Sequence, residues 1–238
     1  MVVVPAELSN VLSGRLFEAV TLIEPDELTA AERAVIPGWW IEAVHLSASD
    51  GLARAVAAWQ SALPDALPTF YGLLGEHGVG VFLGRSASEN KPLLAYAVTL
   101  PSGDTVCWYG FPPTEKLGHP TLDLAALPAG PLTLYTQLHD GFRLASSFHN
   151  GFPSSAELFA VGEDMDSDSA DIVGDSAAPD LNRLVSLYFD VGASSVCVEL
   201  GDGSTEDGNG WVVSDSQMQP VEDIWEVIDR WTLSIVEP

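Results

Sequence analysis

Two apolar stretches of strand length, Leu93–Leu100 and Thr105–Tyr109, flank Pro101-Ser102-Gly103-Asp104, and no other feature constrains the fold as much. Aliphatic and aromatic runs of that length read as strands, and a short link holding Pro, Gly and Asp reads as the turn of a β-hairpin. So apolar a ladder must be covered, and the flanking sequence supplies amphipathic helices. Thr29-Ala30-Ala31-Glu32 is a capping box, closed by Pro37-Gly38. Ser49 or Asp50 is placed to cap a further helix, in which Leu52, Val56, Trp59 and Leu63 form one apolar stripe. Residues 39–46 and 78–83 read as strands. Residues 1–110 are therefore expected to form a compact α/β unit.

The stretch 111–130 is rich in Pro and Gly and is the expected connection to a second unit, 131–238. There Pro131 suits the first turn of a helix whose apolar face is Leu132, Tyr135 and Leu138. Ser154-Ser155-Ala156-Glu157 opens another short helix. Residues 184–190, 196–200 and 211–214 read as strands, and a final helix places Ile224, Val227, Ile228 and Trp231 on one face. The expected class is α+β. With 47% hydrophobic residues, 7 Trp, 9 Phe and 5 Tyr, the 238-residue chain can build a substantial core and is not an acidic disordered tail.

The charge is unevenly placed. Residues 139–238 carry 20 of the 34 acids and three bases (Arg143, Arg183 and Arg230), a net −17; residues 1–138 carry 14 acids and six bases, a net −8. Concentrated like charge opposes compaction, repels nucleic acid and anionic membranes, and speeds encounter with basic proteins. A basic protein partner is the expectation, with no nucleic acid and no membrane. The opening Met1–Leu8 has no basic segment ahead of an apolar one, as a secretory leader would. Cys107 and Cys197 sit in apparent strands, Thr105–Tyr109 and Ser195–Glu199, and read as buried thiols, so the cytoplasm is the expected location.

Several constellations invite a chemical reading. In Glu163-Asp164-Met165-Asp166-Ser167-Asp168-Ser169-Ala170-Asp171, Asp164, Asp166 and Asp168 have the first three ligand spacings of an EF-hand loop. The turn position is Ser169 rather than Gly and the last position is Asp175 rather than Glu, so a solvated loop or one meeting a cationic partner is expected. The run 201–210 has four glycines but no lysine, which makes it a poor phosphate cradle and a better polar hairpin loop. His45, His77, His119, His139 and His149 are scattered. His139-Asp140 suggests acid–base work, but no nucleophile stands in an elbow context. No cofactor, no metal and no enzymatic activity are expected.

Leu127-Pro128, Leu134-Tyr135-Thr136-Gln137-Leu138-His139-Asp140-Gly141-Phe142 and Gly151-Phe152-Pro153-Ser154-Ser155-Ala156-Glu157-Leu158 follow one another in a specific order. Physically this is a helix ended by Asp140-Gly141, a short extended stretch, and a second capped helix. The succession resembles the SUKH superfamily, which includes bacterial immunity proteins and a yeast cell-wall-assembly regulator. The resemblance covers about residues 122–236. It implies a small twisted sheet with helices mainly on one face, here preceded by the smaller α/β unit. It also implies a protein that binds and neutralises a cognate toxin.

On that expectation Glu163, Asp164, Asp166, Asp168, Asp171 and Asp175 are first contacts with a basic, possibly nuclease, toxin, and Asp202, Glu206 and Asp207 form a second patch. Trp211 and Phe142 are candidate apolar anchors. Two other readings stay open: a scaffold or regulatory binding module of the same fold, and a metal-dependent hydrolase using the Asp-rich loops.

Overall fold

In the computed structural model, residues 20–145, 150–164, 171–172, 179–190, 192, 194–201, 210–215 and 217–234 are described. Among them, eleven strands join in a single sheet: β1 (Val20–Leu22), β2 (Gly78–Ser86), β3 (Pro92–Thr99), β4 (Thr105–Phe111), β5 (Asp140–Leu144), β6 (Gly151–Phe152), β7 (Asp171–Ile172), β8 (Leu184–Phe189), β9 (Ser195–Glu199), β10 (Gly210–Ser214) and β11 (Gln217–Val221). Their order is β1-β2-β3-β4-β5-β6-β8-β9-β10-β11-β7. All neighbours are antiparallel except β11 and β7. With the helices below, the chain is of the α+β class.

The expected hairpin is at the centre of one half. β3 and β4 pair from Leu94↔Gly110 to Thr99↔Thr105, and Gly103 takes φ +90° in the turn. Residues Pro92–Val98 are all buried, so β3 is covered on both faces and shows no polar alternation. β4 then pairs with β5, Trp108 opposite Leu144 and Gly110 opposite Phe142. The Pro/Gly-rich stretch 111–130 is thus a connection leaving and re-entering one sheet, and the units expected at 1–110 and 131–238 share that sheet.

The helices are α1 (Ala30–Val35), α2 (Gly38–His45), α3 (Ala48–Ala62), α4 (Pro68–His77), α5 (Ala129–Thr133, continued by a π-turn Leu134–Leu138), α6 (Val161–Asp164) and α7 (Ile224–Leu233). α2 corrects a sequence expectation, since residues 39–46 were to be a strand. The aromatic and β-branched composition favours a strand, but Trp40 and Ala43, one helical turn apart, are the residues that reach the core. α3 begins two residues earlier than expected: Ser47 is its cap and accepts from the Asp50 N–H at 3.3 Å. Gly51 allows α2 and α3 to touch, because a Cβ there would lie 2.4 Å from the Ala43 carbonyl oxygen.

The main core lies between the helices and one face of the sheet. Trp40, Trp59, Phe70 and Ile228 from the helices meet Tyr96, Trp108, Phe142 and Tyr188 from the strands. Replacing a fully buried Trp such as Trp59 by Ala costs about 3–5 kcal/mol. Alternate residues of β3 and β4 (Leu93, Ala95, Ala97, Cys107) form a second cluster with Val20 and Phe82. A third, with Leu184, Cys197, Trp211 and Met218, lies over β8–β11. The helix expected after Pro131 ends at Leu138, and Asp140-Gly141 opens β5 rather than capping it. Gly141 is still required, with φ +84° and space for a Cβ closed by Ser154 N at 2.9 Å. The final helix, α7, buries Ile224, Val227 and Ile228 as expected.

Candidate functional site

Of the acidic residues singled out in the sequence, Glu163, Asp164 and Asp171 fall among the described residues, on α6 and β7. Glu163 is exposed on α6, which is tied to the segment leading into β8 by Gly162 N–H donating to the Leu181 carbonyl at 2.9 Å. Asp164 ends α6, and Asp171 begins β7 opposite Gln217. Asp166, Asp168, Asp175, Asp202, Glu206 and Asp207 lie outside the described residues.

Backbone register fixes where these segments start. Gly210 and Val221 pair at the end of β10 that follows residues 202–209, and Ser214 and Gln217 pair at the other end. α6 sits beside Leu181, at the end where Leu184 faces Glu199. Glu163 and the entry to residues 202–209 therefore share one end of the sheet. Asp171 stands at the other, about 15 Å away along β10.

Both candidate anchors are corrected. Trp211 is only 4% exposed, packed with Leu184, Cys197 and Met218, and Phe142 is 2% exposed in the main core. A side chain facing a strand neighbour and covered on that face has no surface left for a partner. The large apolar residues that are exposed among those described are Val35 and Leu46, at the ends of α1 and α2.

A site the sequence did not reveal lies where α4 and α7 meet. A cleft of about 430 Å³ is lined by Asp65, Thr69, Asp223, Glu226, Asp229 and Arg230, among others. Asp229 is buried, and its two carboxylate oxygens accept the N–H groups of Thr69 (2.9 Å) and Phe70 (3.0 Å). Asp223 caps its own helix through the N–H groups of Trp225 and Glu226. Asp65 and Glu226 keep exposed carboxylates at the rim. Four acids against one guanidinium make the cleft attractive to a cationic side chain. The signal available in sequence was Asp229 next to the apolar stripe of α7, but its distant partners are invisible without the fold.

The His139-Asp140 pair does not form an acid–base couple. His139 is fully buried, with Nε2 2.7 Å from Tyr96 Oη, whereas Asp140 accepts from the Ser155 N–H at 2.7 Å. Burial pushes His139 down to about 3, so its ring is neutral at physiological pH. The thiols are equally inert: burial pushes Cys107 up to about 12 and Cys197 up to about 11. Among the described residues no group of His, Cys, Asp and Glu side chains is arranged to hold a metal ion, and no helix is long and apolar enough to cross a membrane. No protein-family model, no curated protein and no solved structure matches the chain.

Proposed function

We propose that this protein is an immunity-type inhibitor that binds a basic toxin through the acidic surface of its C-terminal half. The observation that carries the reading is the charge placement: 20 acids against three bases in residues 139–238. Two of those acids, Asp223 and Glu226, line the cleft between α4 and α7, where Asp65 from the first half adds one more exposed carboxylate. An acidic face of this kind steers a cationic partner and sets a fast, salt-sensitive association. The order of short motifs in residues 122–236, which resembles the SUKH superfamily, supports the same reading. The inhibitor acts in the cytoplasm and works by occupying the toxin, without cofactor or turnover.

The test is affinity purification of the tagged protein from its native cells at low salt, followed by co-expression of whatever elutes stoichiometrically. The reading requires one basic protein whose toxicity the inhibitor relieves, released as salt is raised. A stoichiometric partner that is acidic, or a basic one whose toxicity is not relieved, would sink it. Changing Asp164, Asp166 and Asp168 together to Asn is expected to slow association at low salt and leave the melting temperature unchanged. An unaltered on-rate would remove that loop from the contact.

A further inference from the structure

His139 stands where the two halves of the chain meet, and the inhibitor reading makes no use of it. Its ring is enclosed by Trp39 and Trp40 of α2 (centroids 5.8 and 5.2 Å), Trp59 of α3 (5.6 Å) and Tyr96 of β3 (5.6 Å), and is stacked on Phe142 of β5 at 5.5 Å. Gly110 of β4 closes the remaining side: a Cβ there would lie 2.5 Å from the ring. The imidazole has no room to turn away.

The chain of hydrogen bonds from Trp59 favours one placement of its proton. Indole Nε1–H of Trp59 can only donate, and it lies 3.0 Å from Tyr96 Oη. Tyr96 therefore accepts from Trp59 and sends its own proton to His139 Nε2 at 2.7 Å. Nε2 holds a lone pair, and the neutral ring carries its hydrogen on Nδ1. A proton added at Nε2 would turn that acceptor into a donor. Tyr96 Oη would then face two donors, with no acceptor for its own hydrogen, in a buried and largely aromatic surround.

No anion stands ready to stabilise an imidazolium. α2 and α3 present only indoles to the ring, because Glu42 and Arg54 pair with each other at 2.6 Å near the surface. β3 presents the Tyr96 phenol, which burial holds firmly protonated. β4 brings the backbone of Gly110 and Phe111 against the ring, and their hydrogen bonding favours a charged imidazole less than burial opposes it. β5 presents Phe142, and Asp140 is engaged by the Ser155 N–H.

We propose that His139 is an acid-sensitive latch, whose neutral ring holds α2 and α3 on strands β3–β5 and whose protonation at Nε2 releases them. The latch is independent of the inhibitor reading. The sign follows from linkage. Burial lowers His139 to about 3 in the folded chain, whereas an unfolded histidine titrates near about 6.5. The unfolded state therefore binds the proton first. Stability from this group is complete above about pH 6.5 and declines as pH falls from there toward about 3, with the unfolding constant rising about tenfold per pH unit.

The experiment is urea unfolding of the full chain at several pH values between 8 and 5.5, for the wild type and for H139Q, with near-UV circular dichroism reporting the aromatic cluster. The wild type is expected to gain about tenfold in its unfolding constant between pH 8 and 5.5, with most of that gain falling below about pH 6.5. H139Q, less stable throughout, should lack that component. Parallel pH dependence in the two proteins would overturn the latch. If H139Q does not fold, nitrogen NMR of histidine-labelled wild type decides. The latch requires Nε2 to stay unprotonated until the near-UV signal is lost. An Nε2–H tautomer at pH 8, or titration near 6.5 in the intact fold, would overturn it.

Discussion

The carboxylate of Asp229 accepts the backbone N–H of Thr69 at 2.9 Å across 160 residues of sequence, and its second oxygen takes the N–H of Phe70. Leu67, the residue at the cap position of α4, has no side-chain oxygen to offer, so α7 supplies the cap that α4 lacks. A buried carboxylate bonded to two donors at a helix N-terminus is favoured by hydrogen bonding and by the helix dipole. Asp229→Ala is expected to cost about 2–3 kcal/mol in urea unfolding, and Asp229→Asn less, because an amide oxygen still accepts. Equal losses in the two variants would show that the contact is packing rather than capping.

Glu32 joins α1 to the sheet through a two-pronged pair with Arg85 of β2, at 2.9 and 3.0 Å, and also accepts the Thr29 N–H. Arg85 first, then Thr29, hold the Glu32 carboxyl down at about 2. Its folded value is depressed, so its contribution is present above the unfolded value near about 4.5 and lost as pH falls toward about 2. The pair is partly exposed, and screening limits it to about 1 kcal/mol. Glu32→Gln should lower stability by that amount at pH 7, and the difference should shrink over this acid window.

Two glycine substitutions of the same kind should act in opposite directions. Gly110→Ala would place a methyl 2.5 Å from the His139 ring in a packed core, with an expected loss of about 1–3 kcal/mol or more. Gly72→Ala, on the exposed face of α4 with nothing within 4 Å, should gain about 0.5–1 kcal/mol from lower unfolded-chain entropy and better helix propensity. Thermal melts of the two variants check both signs.

Cys107 and Cys197 are 1% and 0% exposed. A thiol reagent at neutral pH is expected to leave both unmodified in the folded chain and to label them as denaturant opens it. Cys107 reports on the second cluster and Cys197 on the third, so mass spectrometry of each peptide separates the opening of the two ends of the sheet. Rapid labelling of either thiol without denaturant would contradict its burial.

Elements specified by their own residues were legible in the sequence. The β3–β4 hairpin, the Thr29–Glu32 capping box and the apolar face of α7 each need only local spacing. α2 was misread because Trp39, Ile41 and Val44 favour a strand, and only the packing of Trp40 and Ala43 decides for a helix. α4 went unseen because Pro68, Gly72 and Gly75 obscure its period, and its N-terminus is completed by Asp229 from the other end of the chain. Trp211 and Phe142 looked available because burial is a property of neighbours, and those neighbours lie on other strands. The α4–α7 cleft was illegible for the same reason.

The pairing of β4 with β5 bears on how such a chain can be divided. A cut anywhere in 112–123 would interrupt no strand or helix, yet it would leave each fragment with a raw ladder edge: Trp108–Phe111 on one, Asp140–Leu144 on the other. Each edge is matched in register to its counterpart. Neither fragment would have a finished core, because Trp40, Trp59 and Tyr96 fall on one side of the cut and His139 and Phe142 on the other. Residues on both sides of 112–123 therefore complete one core, and fragments divided there are expected to fold only as a co-expressed, self-complementing pair.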